Sequence, residues 1–222
     1  MKTISVKNGF TSDHSSTSYE FIAVEKALGK KDRAAVSSLS SRADPTSRRV
    51  SFIYHADGYD IPGGWETLME KYYDVMYSES YDWWMLAIAF NTSAKQISEL
   101  QKYEFKGEDD LGIEVLVQGD RVILMINCRL DDSFRDDPDE DYDEEDEEDE
   151  DEEDDDEDEL LHLLAQIREQ LQQGDYRALY RVWEKYNYFD KDNNEEIMVA
   201  PPVPPEKPQG KKIIEQFYEM LE

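Results

Sequence analysis

The 222-residue sequence predicts an α+β fold: a mixed five-stranded sheet with about three helices, followed by an acidic disordered linker and a helical C-terminal module. Three observations predict it. Within the first 130 residues, apolar positions recur by turns at the spacing of two that suits strands and at the spacing of three and four that suits helices. Residues 83–90 are all apolar, as a strand buried on both faces requires. Seventeen consecutive Asp and Glu residues, 143–159, then separate this part from three helical stripes. The boundaries read from the sequence are therefore a mixed α+β domain at 1–130, an acidic linker at 131–159 and helices at 160–222.

Residues 19–24 are β-formers, and 28–40 hold Ala34, Ala35 and Val36 in a short helical stretch. Residues 48–55 alternate: Val50, Phe52 and Tyr54 share one face, and Ser51, Ile53 and His55 the other, the pattern of a half-buried strand. Gly58, Pro62, Gly63 and Gly64 make the following segment a sharply turned loop. From Trp65 the period becomes helical, with Trp65, Leu68, Met69, Tyr72, Tyr73 and Met76 on one face of about three turns. The apolar run 83–90 reads as the central strand, and 93–102 as a helix that turns Ile97 and Leu100 inward. Ile113, Val115 and Val117, then Val122, Leu124, Ile126, Cys128 and Leu130, alternate along two strands joined by Gly119-Asp120, a pair suited to a two-residue hairpin turn. Strand-helix-strand crossovers favour parallel neighbours and the hairpin an antiparallel one, so the expected sheet is mixed.

Beyond the acidic run, Leu160, Leu163, Leu164, Ile167 and Leu171 form a stripe that ends at Gly174, and Asp175 is placed to cap a second helix carrying Tyr176, Leu179, Tyr180, Trp183 and Tyr186. This helical hairpin has a faint likeness to half a tetratricopeptide unit, but no second copy stands at the 34-residue period such arrays need. Pro201, Pro202, Pro204, Pro205 and Pro208 make a stiff connector, and Ile213, Ile214, Phe217 and Leu221 a last amphipathic helix. That helix ends without a cap, which reads as a shortened form of the chain.

The formal charge of −30 is concentrated. Residues 131–159 hold 24 acids against Arg135 alone, whereas 1–60 sum to +2, 61–130 to −6 and 160–222 to −3. A localised block of like charge repels itself and stays extended, so its plainest reading is a solvated spacer. The polar, Ser/Thr-rich start is unlike a secretory leader, and the eight-residue apolar run is far short of the roughly 20 residues that span a bilayer. A single cysteine forms no internal disulfide, and these features together point to the cytoplasm.

Candidate chemistry gathers after the second strand, where His55, Asp57, Tyr59 and Asp60 crowd beside the glycine-rich turn. Ligand sites in open α/β sheets lie beyond strand ends, and His55 with an orienting carboxylate has the makings of an acid or base. The structural reading stands beside it and leads: Asp57 and Asp60 bond the turn backbone, His55 packs at a strand end, and no nucleophile or second histidine accompanies them. Trp83 and Trp84 face opposite sides of a strand, which leaves one for the core and one, Trp84 in the candidate set, to stack a ligand. Arg48 and Arg49 are candidate anion contacts in a segment where seven bases face three acids, with solvation of a strand entrance as the plainer reading.

No metal site, and so no metal or other cofactor, is expected. His14, His55 and His162 share no helix face, one cysteine rules out thiolate zinc sites, and the calcium-like start at Asp190, Asp192 and Asn194 has Glu195 and Pro201 where such a loop needs Gly and Glu. Cys128 falls on an apolar strand face, where a thiol behaves as a small hydrophobe. Glycine-rich phosphate loops and hydrolase elbows are missing from the sequence.

Several stretches resemble a family of uncharacterised bacterial proteins: RRVSFIYH at 48–55, DGYDIPGGW at 57–65, YYDVM at 72–76, ESYDWW at 79–84, GDYRALY at 174–180 and PPVPP at 201–205. The resemblance covers most of the chain outside the acidic run and implies a bacterial, cytoplasmic setting. It brings no activity, ligand or partner with it.

The expected role is a protein-interaction adaptor or accessory subunit with an unknown protein partner. A second reading makes the acidic run itself functional, as a polyanionic binder of basic proteins or a nucleic-acid mimic. A third is a small enzyme using the 55–60 loop. Direct nucleic-acid binding is disfavoured by charge, and membrane insertion by the absence of a long apolar run.

Overall fold

The computed structural model describes residues 17–41, 43–54, 61–80, 83–131, 159–187 and 199–222. Seven strands among them form one sheet: β1 (Thr17–Ile22), β2 (Arg49–Tyr54), β3 (Val75–Ser80), β4 (Trp83–Asn91), β5 (Phe105–Lys106), β6 (Gly112–Gln118) and β7 (Arg121–Cys128). Their order is β2-β1-β3-β4-β7-β6-β5, and every neighbouring pair runs antiparallel. Six α-helices accompany them among the described residues: α1 (Lys30–Ser37), α2 (Trp65–Lys71), α3 (Ala94–Leu100), α4 (Glu159–Gln172), α5 (Arg177–Tyr186) and α6 (Lys211–Met220).

The α+β class therefore stands, but the mixed five-stranded sheet with about three helices does not. Two strands were hidden from sequence. The helical period that starts at Trp65 runs on through Tyr72, Tyr73 and Met76, yet the helix stops at Lys71 and β3 begins at Val75. β3 is paired on both sides and buried along nearly its whole length, including Ser78 and Glu79, so it shows no alternation to read. β5 has two residues, too few for any period. The direction was misjudged because α1, eight residues long, does not carry the chain across the sheet. Residues 23–48 return it to the end it left, and only an antiparallel neighbour can start there.

β4 lies at the middle of the sheet and explains its own apolar run. Trp84, Leu86, Ile88 and Phe90 belong to the core on one face, and Ala87 and Ala89 to the core on the other. The second face is covered by α1 and α2 through Val36, Trp65, Leu68 and Met69, packed on Phe21, Phe52 and Met76. The first face is covered by the C-terminal helices: Leu160, Leu163, Leu164, Ile167 and Leu171 of α4, Ala178, Leu179 and Val182 of α5, and Ile214 and Phe217 of α6 share one cluster with Leu86, Phe90, Leu124 and Ile126. These helices thus bury their stripes on the sheet of the same chain. A bridge between Leu130 and Leu221 ties the last residues beside the segment that leaves β7.

The turn at Gly119 and the helix end at Gly174 act as expected, whereas the N-cap position of α5 is held by Tyr176 and not by Asp175, which accepts the Arg177 N–H at 3.3 Å. Gly119 adopts φ +65° in the β6–β7 hairpin, the left-handed region its turn requires. Gly174, at φ +74°, ends α4 in a Schellman motif: its N–H donates to the Leu171 carbonyl and the Asp175 N–H to that of Gln170. Ser93 caps α3 by accepting the Gln96 N–H. The acidic linker, except Asp131 and Glu159 at its two ends, lies outside the described residues. Among the described residues no helix is long and apolar enough to cross a membrane.

Candidate functional site

His55, Asp57, Tyr59 and Asp60 lie outside the described residues. Tyr54 at the end of β2 pairs with Thr17, Thr17 with Ser80, and Ser80 with Trp83, so β2 ends at the sheet end where β3 meets β4. Trp84 is buried, 4% exposed, with its ring 5.6 Å from that of Tyr77. Its neighbour Trp83 is 39% exposed on the opposite face, beneath the Arg129 guanidinium at 5.1 Å. Arg48 donates to the carbonyls of Ala23 and Val24 at 2.8 and 2.9 Å, which ties the end of β1 to the start of β2. Arg49 stands on β2 opposite Ile22. Cys128 is fully buried, and burial pushes its thiol well above the ordinary thiol range, so it is packed as a small hydrophobe and not poised as a nucleophile.

The densest charged arrangement forms around Asp74, between α2 and β3. Its carboxylate accepts the backbone N–H groups of Val24 and Glu25 at 2.8 and 2.9 Å and the Arg121 guanidinium at 2.9 Å. Arg121, from β7, also donates to the carbonyls of Met69 and Tyr73. Arg168 descends from α4 with its side chain 2% exposed, donates to the Ala89 carbonyl at 2.7 Å, pairs with Glu25 and stands 3.6 Å from Asp74. Two guanidinium groups and two carboxylates therefore bind the C-terminal layer to the sheet and to both loops at one end. A cleft of about 150 Å³ borders the cluster and adds Lys26, Asp32, Glu70 and Lys71, so its rim carries both signs.

A second polar group sits on the sheet face itself. Glu20 of β1 is 0% exposed and Glu79 of β3 is 3% exposed, and the register places Ser18 opposite Glu79 and Glu20 opposite Tyr77, all on one face. Glu20 accepts the Ser51 hydroxyl at 2.6 Å. Nothing in the sequence flagged these carboxylates: Glu20 alternates with Tyr19 and Phe21 and so occupies a position that normally faces water, and β3 shows no alternation at all.

The third arrangement is the proline-rich strap at 199–209, which follows α5 and leads to α6. The Tyr103 hydroxyl donates to the Pro202 carbonyl at 2.9 Å, and Arg177 donates to the Lys207 carbonyl at 2.7 Å and to that of Gln209. Arg177 is itself held by Asp175, whose two carboxylate oxygens accept its Nε and Nη2 at 2.8 to 3.2 Å. Burial works against the charge on Asp175, but hydrogen bonds from Arg177 and its charge outweigh that penalty and leave the carboxyl below the ordinary carboxylate range. Beside the strap a cleft of about 180 Å³ is lined by Tyr180, Arg181, Val203, Pro204, Lys211 and Ile214, among others.

No family model, curated protein or solved structure matches the chain.

Function must accordingly be argued from these three arrangements. The sequence did contain a signal for the third, in its prolines, read as a stiff connector, but Asp175 read as a helix cap and its pairing with Arg177 under the strap was not legible. The Asp74 cluster had none, since its members come from 25, 74, 121 and 168 and meet only in the fold. Among the described residues no group of three or more metal-ligating side chains is gathered.

A lowered carboxyl pKa stabilises the fold above the unfolded-state value, about 4, and that stabilisation is lost as pH falls through the folded value. The urea midpoint of the wild-type chain should therefore fall below about pH 4 more steeply than that of Asp175→Asn. Equal acid slopes for the two chains would show that Asp175 is not a source of the pH dependence.

Proposed function

We propose that the protein is a cytoplasmic interaction adaptor or accessory subunit that presents its C-terminal layer to a protein partner. The observation that carries this reading is the exposed apolar surface. Val199 and Val203 are 85% and 74% exposed, and Tyr218 of α6 is 38% exposed with the Arg181 guanidinium over its ring at 5.2 Å. Val203 and Arg181 line the same cleft. Through Arg181 the ring of Tyr218 and the side chain of Val203 fall together, and aromatic, arginine and aliphatic groups so placed are the composition of protein interfaces. The bacterial setting follows from the resemblance of the 48–65, 79–84 and 174–180 stretches.

Affinity capture from native cell extract, at low and moderate salt, compares the intact chain with one lacking residues 143–159 and with Val203→Asp. A defined partner is expected with the first two chains at both salt concentrations and weakened at least tenfold by Val203→Asp. Basic proteins caught by the intact chain alone, and lost with salt, would instead make the acidic run the working element. Absence of any retained partner would overturn the adaptor reading.

A further inference from the structure

The exposure of the strap repeats every three residues. Pro201 is buried, Pro204 and Lys207 are half-buried, and Pro202, Val203, Pro205, Glu206, Pro208 and Gln209 are exposed. Three residues per turn is the period of the left-handed polyproline II helix, which makes no internal hydrogen bonds and which proline favours by fixing φ near −65°. Residues 201, 204 and 207 thus form the edge laid on the protein, and 202, 205 and 208 a second edge of three proline rings facing outward. Packing accounts for the first edge. It makes no use of the rings on the second.

The strap is also fixed at both ends, by the Tyr103 hydroxyl at Pro202 and by the buried Asp175–Arg177 pair at Lys207 and Gln209. Free proline-rich peptides lose conformational entropy when they dock, and a segment already clamped in the extended form loses much less. Proline rings presented at i and i+3 are complementary to grooves between aromatic side chains, where each ring seats against a Tyr or Trp face and the exposed carbonyls meet an N–H or O–H donor.

We infer that residues 201–208 are a pre-set polyproline II ligand, whose outward Pro202 and Pro205 seat in an aromatic-lined groove of the partner. The inference rests on the adaptor reading and gives the partner its chemical class. Val203, on the third edge, adds apolar contact at the rim of the groove, where Glu206 follows it. The interaction is apolar at its centre, so it persists at moderate salt, unlike capture by the acidic run.

The test uses the full chain against immobilised purified SH3 and WW domains, each paired with a version in which a groove tryptophan is replaced by alanine. At least one intact domain is expected to bind in the micromolar range and its groove-mutated version at least tenfold more weakly. Pro202→Ala combined with Pro205→Ala should reduce that binding at least tenfold with an unchanged far-ultraviolet circular dichroism spectrum. Pro202→Glu, at an exposed ring edge, serves as the second variant should the double alanine chain loosen the strap. Binding no stronger to any intact groove than to its mutated version overturns the inference, as does equal binding by the proline variants. If the proline variants still capture the defined partner from extract, the strap falls and the adaptor reading stands; if the intact chain captures none, the adaptor reading itself falls.

Discussion

Replacing Arg168 by methionine is expected to destabilise the protein by about 3 kcal/mol, the low end of what breaking a buried ion pair removes. Methionine keeps most of the apolar stem, so the loss isolates the guanidinium. Four contacts disappear with it: the 2.7 Å bond to the Ala89 carbonyl, the pairing with Glu25, a 3.4 Å bond to the Gln172 side chain and the field at Asp74. The Ala89 carbonyl lies on the central strand, where no water replaces the donor, and leaving it unsatisfied costs about 1–3 kcal/mol. Asp74 is 7% exposed but retains Arg121 and two backbone donors, which holds the total below the upper end of the range. Glu25 is 48% exposed and regains water, so its share is small. For a chain of this size the midpoint of thermal unfolding should fall by about 6–12 °C. Glu25→Gln is the control and should lower it by no more than about 2–4 °C. A shift for Arg168→Met as small as the control would mean that the cluster contributes charge balance and no net stability.

The elements that announced themselves are those whose burial is one-sided. β2 alternates because one of its faces meets α1 and α2 and the other is half-buried, and α4 shows a clean stripe because its far side meets water. β4 was legible for the opposite reason, since a strand buried on both faces at the middle of a sheet is apolar at every position. β3 has the same position in kind and failed to announce itself because Ser78 and Glu79 are buried polar residues. Burial of polar residues leaves no trace in hydropathy. Strand direction was a further blind spot, because a helix between two strands predicts a parallel crossover only if the helix spans the sheet, and neither α1 nor α2 does.

The sites divide in the same way. The prolines of the strap are spaced within a few residues and read as a stiff connector in one line of sequence, whereas Asp175 read as a helix cap and its role in holding Arg177 under the strap appears only in the fold. The Asp74 cluster and the Glu20–Glu79 face draw on strands far apart in the chain, and only the register brings them together. The candidate residues at 55–60 stand out by residue type alone, and they lie outside the described residues.

Phe217→Ala decides whether the C-terminal helices are a layer of the fold or a separate module. Phe217 is fully buried on α6 and belongs to the cluster that contains Leu86, Phe90 and Leu124 of the sheet. Truncating a buried phenylalanine costs about 3–5 kcal/mol, through lost transfer energy and the cavity left behind. If the layer and the sheet share one core, the whole domain loses that free energy in a single transition. Amide hydrogen exchange at β4, the central strand, should then speed up by at least a hundredfold, since about 3 kcal/mol corresponds to more than two decades in an opening constant. Exchange at α6 should rise with it. Were the helices a module that merely docks, α6 would lose protection while the β4 amides stayed as slow as in the unsubstituted chain. The core geometry favours the first outcome, because α4 packs on both β3 and β4 and contacts α6, so the cavity at Phe217 loosens the layer that covers the middle of the sheet.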